Sequence, residues 1–199
     1  PGSIEIPCNN ADCAGVCGGS AVVDECGVCG GDGTSCDTPE AFEFNISTQQ
    51  AFYYFNTVTI DGDSVDVNDW VGAFNGDICV GSRQWDTSLC NNEICDVPAM
   101  GDVGDSATEG YMMSGDMPTF KIYDASENTY YDAVASEDIL PWENFGLDQI
   151  DNLNVERDCA DELGGTAYED ECGTCDSDSS NDCVQDCAGN WGGDLELDE

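Results

Sequence analysis

The sequence predicts a mainly β protein: one β-sandwich or jelly-roll domain over residues 38–155, flanked by small, loop-dominated, disulfide-rich modules. Three observations predict it. Of 14 cysteines, 11 fall outside residues 38–155. The central stretch carries aromatic and β-branched residues with a period of two. A motif of cysteine, glycine and aspartate recurs on both sides of that stretch.

The first module, residues 1–37, contains DCAGVCGGSAVVDECGVCGGDGTSC at 12–36; the second, 156–185, contains DCADELGGTAYEDECGTCDSDSSNDC at 158–183. Cys13 to Cys26 and Cys159 to Cys172 share one spacing, and the pairs Gly18-Gly19 and Gly164-Gly165 fall at one offset. Both copies continue with Asp-Glu-Cys-Gly-x-Cys. Residues 186–199 read as the truncated start of a further module, DCAGNWGGDLELDE. Its register places the next cysteine just past Glu199, and Cys8 precedes Cys13 much as Cys183 precedes Cys187. The expectation is a window on a tandem array, or a polymer in which a neighbouring subunit supplies the missing cysteines.

Such modules hold hardly any large apolar side chains. Cross-links must therefore lower the entropy of the unfolded chain, by roughly 2–4 kcal/mol per bridge. Cys8, Cys13, Cys17, Cys26, Cys29, Cys36, Cys159, Cys172, Cys175 and Cys183 are assigned to disulfides, with three connectivities open for each set of four. Cys17 stands where the sister copies have Leu163 and Trp191, and Cys8 is its expected partner. A zinc reading of the two Cys-x-x-Cys pairs lacks histidine and knuckle spacing.

In the central domain, Phe42, Phe44 and Ile46 alternate with polar residues, and 51–60 is a long aromatic-to-β-branched run. Residues 70–74 and 78–81 flank the turn Asn75-Gly76-Asp77, a hairpin signal. Further strands are expected at 119–123 and 129–134, with weak helical spacing at 136–139 and 147–152. Cys90 and Cys95 bracket a tight loop and are expected to be bridged; Cys79 is left over as a buried thiol. Cys187 then lacks an in-chain partner unless it takes Cys79, and is a candidate inter-unit cysteine.

Charge sets the class of partner. There are 43 Asp and Glu against 3 Lys and Arg, no His, and a formal net charge of −40. Nucleic acid and anionic membranes need basic patches that this chain lacks. Without His, a catalytic centre would have to rely on carboxylates and backbone, so no catalytic residue is assigned. The acids cluster with glycine in turn-like strings. Calcium takes six to eight oxygens from such loops, and Asp24, Asp32, Asp61, Asp63, Asp66 and Asp69 are the candidate ligands. Asn45-Ile46-Ser47 matches the N-glycosylation sequon, and Ser64 and Ser106 in Asp-Ser-Val and Asp-Ser-Ala are candidate O-glycosylation positions.

The string CGVCGGDGTSC at 26–36 resembles an element in the cysteine-rich region of ADAMTS-type metalloproteases. The two modules together are more similar to repeats of the form DCAGxxGGxAxxDECGVCGGDG in very large secreted proteins of environmental bacteria. There, such repeats alternate with a β domain resembling DWVGAFNGDICVG, here at 69–81, and TFKIYD, here at 119–124. The resemblance implies a calcium-stabilised, sometimes glycosylated surface fibre and supplies no catalytic residue.

The expectation is an extracellular structural or adhesive repeat unit, whose partner is the chain itself as a homopolymer or tandem array, with surface glycans as a further target. The alternative class is a carbohydrate-binding module in which Trp85, Trp142, Tyr53, Tyr54, Tyr130 and Tyr131 form a stacking platform.

Overall fold

The longest alternation in the sequence forms the longest strand. In a computed structural model describing residues 11–23, 29–30 and 37–193, β1 spans Gln50–Ile60 and turns Ala51, Tyr53 and Phe55 into the core. Eight strands form one curled sheet: β1, β2 (Asp63–Ser64), β3 (Trp70–Asn75), β4 (Ile78–Gln84), β5 (Cys95–Met100), β6 (Thr119–Asp124), β7 (Thr129–Ala135) and β8 (Leu147–Val155). The order is β2-β1-β8-β7-β6-β3-β4, and β5 pairs with the first half of β1. The mainly β class holds, with one sheet folded over on itself. β7 makes the bend, pairing with β6 through Phe120↔Ala133 and with β8 through Val134↔Asn154.

The curl brings β4 against β5. A side chain at Gly81 would place its Cβ 1.7 Å from the Pro98 carbonyl, so only glycine permits the approach. Arg83 clamps the same seam, its Nε donating to the Asp96 carbonyl at 2.6 Å and its Nη2 to Asp96 Oδ1 at 2.8 Å. Inside lie Phe55, Val71, Val97, Phe120, Ile122, Met112 and Trp142. The Trp142 indole satisfies itself by donating to the Ala99 carbonyl at 2.9 Å.

The expected hairpin is β3–β4, turning at Gly76 and Asp77, with a bulge between Ala73 and Phe74. The expected strands at 119–123 and 129–134 are β6 and β7. Three expectations need correction. Phe42 to Ser47 is not a strand: a short 3-10 helix at Glu40–Phe42 tucks Phe42 against Trp70, Phe74 and Cys79 on the outer face of β3, and the following residues run irregularly. Residues 136–139 form no helix. Leu147 to Asn152 belongs to β8, parallel to β1.

The helical spacing in β8 has a cause. Phe55 and Val58 of β1 are both buried, as are Ile150 and Leu153 of β8. In a regular strand, residues three apart face opposite ways. Here both strands change their inward parity at one level, where Asn56 Nδ2 donates to Asp151 Oδ1 at 3.2 Å. A matched interruption of the alternation in two paired strands, where the register runs from Phe55↔Ile150 to Thr57↔Asn152, gives a pattern that resembles a helix turn.

The repeated cysteine module as candidate functional site

Each module starts from one aspartate. The backbone N–H of Asp12, Asp158 and Asp186 donates to the carbonyl four residues on, at 3.0, 3.0 and 2.9 Å. Each carboxylate Oδ1 accepts the N–H of that same residue: Val16 at 2.8 Å, Glu162 at 2.9 Å and Asn190 at 2.9 Å. The other oxygen reaches nine residues on, to Ala21 N at 3.1 Å and Ala167 N at 3.0 Å. These donors hold the Asp158 carboxyl below the usual carboxylate range, Glu162 N–H foremost.

The glycine pair makes the room. Gly18, Gly164 and Gly192 have φ of 69, 65 and 65°, in the left-handed region that favours glycine. At the second glycine, an added Cβ would lie 1.9 Å from Asp12 Oδ2, 2.0 Å from Asp158 Oδ2 and 2.1 Å from Asp186 Oδ2, at Gly19, Gly165 and Gly193 respectively. The carboxylate occupies the place of a side chain. Bridges Ala11↔Cys17, Arg157↔Leu163 and Gln185↔Trp191 repeat in the same register. All three copies therefore share one scaffold.

Disulfides attach the second half. Cys159–Cys175 and Cys172–Cys183 settle the second copy as first-to-third and second-to-fourth. Cys13–Cys29 has the same separation of 16 residues as Cys159–Cys175. Cys17 is disulfide-bonded. Cys8, Cys26 and Cys36 lie outside the described residues, as do Asp24 and Asp32. The second half folds as a minimal hairpin, β9 (Tyr168–Glu169) against β10 (Cys175–Asp176). Asp170 organises it: Oδ1 accepts Thr174 N at 2.7 Å and Cys172 N at 2.9 Å, and Oδ2 accepts Cys183 N at 3.1 Å. The Thr174 N–H leads in lowering its pKa.

The second copy is fixed to the sheet. Leu163 packs on the main core, and a Cβ at Gly164 would touch Tyr131 at 3.0 Å and Val155 at 3.5 Å. Arg157 Nε donates to Asp61 Oδ2 at 2.8 Å. Gly192 of the third copy lies instead over a disulfide, its Cβ position 2.9 Å from Cys172 Sγ.

The sequence-assigned calcium ligands are dispersed. Asp61 is paired with Arg157, whereas Asp63 and Asp66 are exposed at β2 and in the loop after it. Asp69 is buried, and its carboxylate accepts Ala125 N at 2.9 Å and Asp66 N at 2.7 Å, joining the loop before β3 to the β6–β7 turn. Burial raises its pKa. Among the described residues, no three acidic or cysteine side chains converge as a metal-binding group.

Cys90–Cys95 is bridged as expected, and Cys79 is a buried thiol whose pKa burial raises to about 11. Cys187 is an exposed thiol. Trp85, Trp142 and Tyr53 are core residues, which removes them from any stacking platform; Tyr54 and Tyr131 are half-buried, and Tyr130 is exposed. Asn45 is exposed but its amide donates to the Ala107 carbonyl at 2.9 Å, while Ser47 of the sequon is buried. Ser64 and Ser106 are exposed. The keystones that sequence reading missed are Asp12, Asp158, Asp170 and Asp186; the visible signal for three of them is an aspartate directly before the first cysteine of every copy, and for Asp170 it is the Asp-Glu-Cys-Gly-x-Cys string. No family model, curated protein or solved structure matches this chain.

Proposed function

We propose that the chain is a non-catalytic structural or adhesive unit of a secreted, extracellular assembly, in which cysteine modules act as stiff connectors for a β domain. The carrying observation is the second module's double attachment. It is closed on itself by Cys159–Cys175 and Cys172–Cys183, and seated on the sheet through Leu163, Gly164 and Arg157. A connector seated in this way transmits orientation. Disulfides of this density belong to oxidising compartments, and no helix among the described residues is long and apolar enough to cross a membrane. The similarity to repeats of large secreted bacterial proteins supports the same reading.

Calcium belongs to the proposal because a net charge of −40 opposes close approach of two copies. Bound cations would offset that repulsion. The test is electron microscopy of the oxidised chain at high protein concentration, with calcium or with EDTA at equal ionic strength. Ordered filaments or end-to-end oligomers that calcium promotes are the expected result. Monodisperse particles under all conditions would sink the assembly reading, and an unchanged melting temperature on chelation would sink the calcium component.

A further inference from the structure

We infer that Cys187 is a disulfide-forming position, and that its partner is the second cysteine of a Cys-Gly-x-Cys hairpin of the kind formed by β9 and β10. The sister copies supply the ground. Cys13 and Cys159 occupy the place of Cys187 in the module, and both are bonded to a cysteine 16 residues on, the last of a Cys-Gly-x-Cys string. Residues 188–199 contain no cysteine.

The scaffold around Cys187 is already built. Asp186 accepts Asn190 N at 2.9 Å, Gly189 donates to the Asp186 carbonyl at 2.9 Å, and Gln185 bridges Trp191. Gly192 N donates to the Val184 carbonyl at 3.0 Å, as Gly164 N donates to Glu156 at 2.9 Å. Among the described residues the half-module that holds the first cysteine is thus formed without a bonded hairpin half, and its thiol is exposed. A preorganised site of this kind favours the hairpin cysteine that fits its register over other thiols, because docking raises the effective concentration of that sulfur alone.

The chemistry is thiol–disulfide exchange. The Cys187 thiolate attacks a cysteine sulfur of the hairpin held in a disulfide with glutathione; a chain–hairpin S–S bond forms, and the glutathione thiolate leaves and takes up a proton. The inference rests on the connector reading, but its readout is a covalent bond on a monomer, so it can fail while assembly is observed, and the reverse.

The test uses the full chain with two synthetic peptides of residues 166–182, one carrying Cys172→Ser and the other Cys175→Ser, each as its glutathione mixed disulfide. Mass spectrometry reads rate and site. The peptide retaining Cys175 is expected to be captured at Cys187 about tenfold faster than the one retaining Cys172, and Cys187→Ser is expected to abolish capture. Gly193→Ala, which presses a methyl onto Asp186, is expected to remove the preference while leaving the slower rate. Equal rates for the two peptides overturn the inference. So does a preference that survives Gly193→Ala, or a Cys187 found bonded to Cys172 or Cys183 of its own chain.

Discussion

The sheet and the second cysteine module solve the same problem with opposite means. The sheet buries Phe55, Phe120, Met112, Ile122 and Trp142 almost completely and relies on apolar area, at about 25 cal/mol per Å². The module from Arg157 to Cys183 buries little besides Asp170, which is 8% exposed, and a half-buried Leu163. It relies instead on two disulfides and on two carboxylates that gather backbone N–H groups. The difference teaches that a highly acidic chain can use its acids as internal parts. Asp158 and Asp170 do for the module what Phe120 does for the sheet.

Reduction is the most severe way to break this comparison. Each module bridge contributes about 2–4 kcal/mol, so a reductant is expected to unfold residues 158–183 while the eight-stranded sheet survives. Hydrogen exchange should show complete loss of protection at Thr174 and Cys183 with β1, β3 and β8 unchanged. Loss of protection in both regions together would show that the sheet depends on the module.

The converse perturbation is Phe120→Ala. Phe120 packs edge-on against Phe55 at a centroid distance of 5.1 Å and against Tyr53 at 5.5 Å. Removal of the ring is expected to destabilise the sheet by about 3–5 kcal/mol, measured by denaturant titration, with the module disulfides still formed.

A finer test lies at Gly165, where a methyl would sit 2.0 Å from Asp158 Oδ2. Gly165→Ala is expected to cost the module about 1–3 kcal/mol, the range for overpacking, and the sheet nothing. Exchange at Glu162 and Ala167 reads the effect. A wild-type rate at those amides would show that the carboxylate can move aside freely.

These positions also mark how far the sequence was legible. The β class, the Gly76-Asp77 hairpin, β6, β7 and the Cys90–Cys95 bridge follow from patterns local to a few residues. β5 escaped because Cys95–Met100 contains Pro98 and lies on an edge, where strand composition is weak. β8 escaped because its inward face changes parity in step with β1, which only the pairing reveals. Within the module, the repeat was plain, but the role of its acids was not. Asp-Gly strings suggest both a calcium loop and a turn. The choice depends on which N–H groups the carboxylate faces, as at Asp158 and Asp170.

Acid sharpens the comparison most gently. Asp158 and Asp170 have folded-state pKa values below the ordinary carboxylate value of about 3.9, so the unfolded chain binds more protons than the folded one in that range. Their stabilisation is therefore present above the ordinary carboxylate range and is lost as pH falls through it toward the folded values. Asp69 has the opposite sign. Burial raises its folded pKa, so protonation there favours the folded sheet as pH falls. Relief of repulsion among 43 acids acts on both regions and cannot tell them apart. The difference between regions can. On titration from pH 7 to about pH 3, exchange at Glu162, Ala167 and Thr174 should accelerate, after correction for intrinsic rates, relative to Ala125, whose N–H faces Asp69. Asp158→Asn should flatten the response at Glu162 and Ala167 alone. If the module amides keep their neutral-pH protection while Ala125 loses its own, the carboxylates of Asp158 and Asp170 are not what holds the module closed.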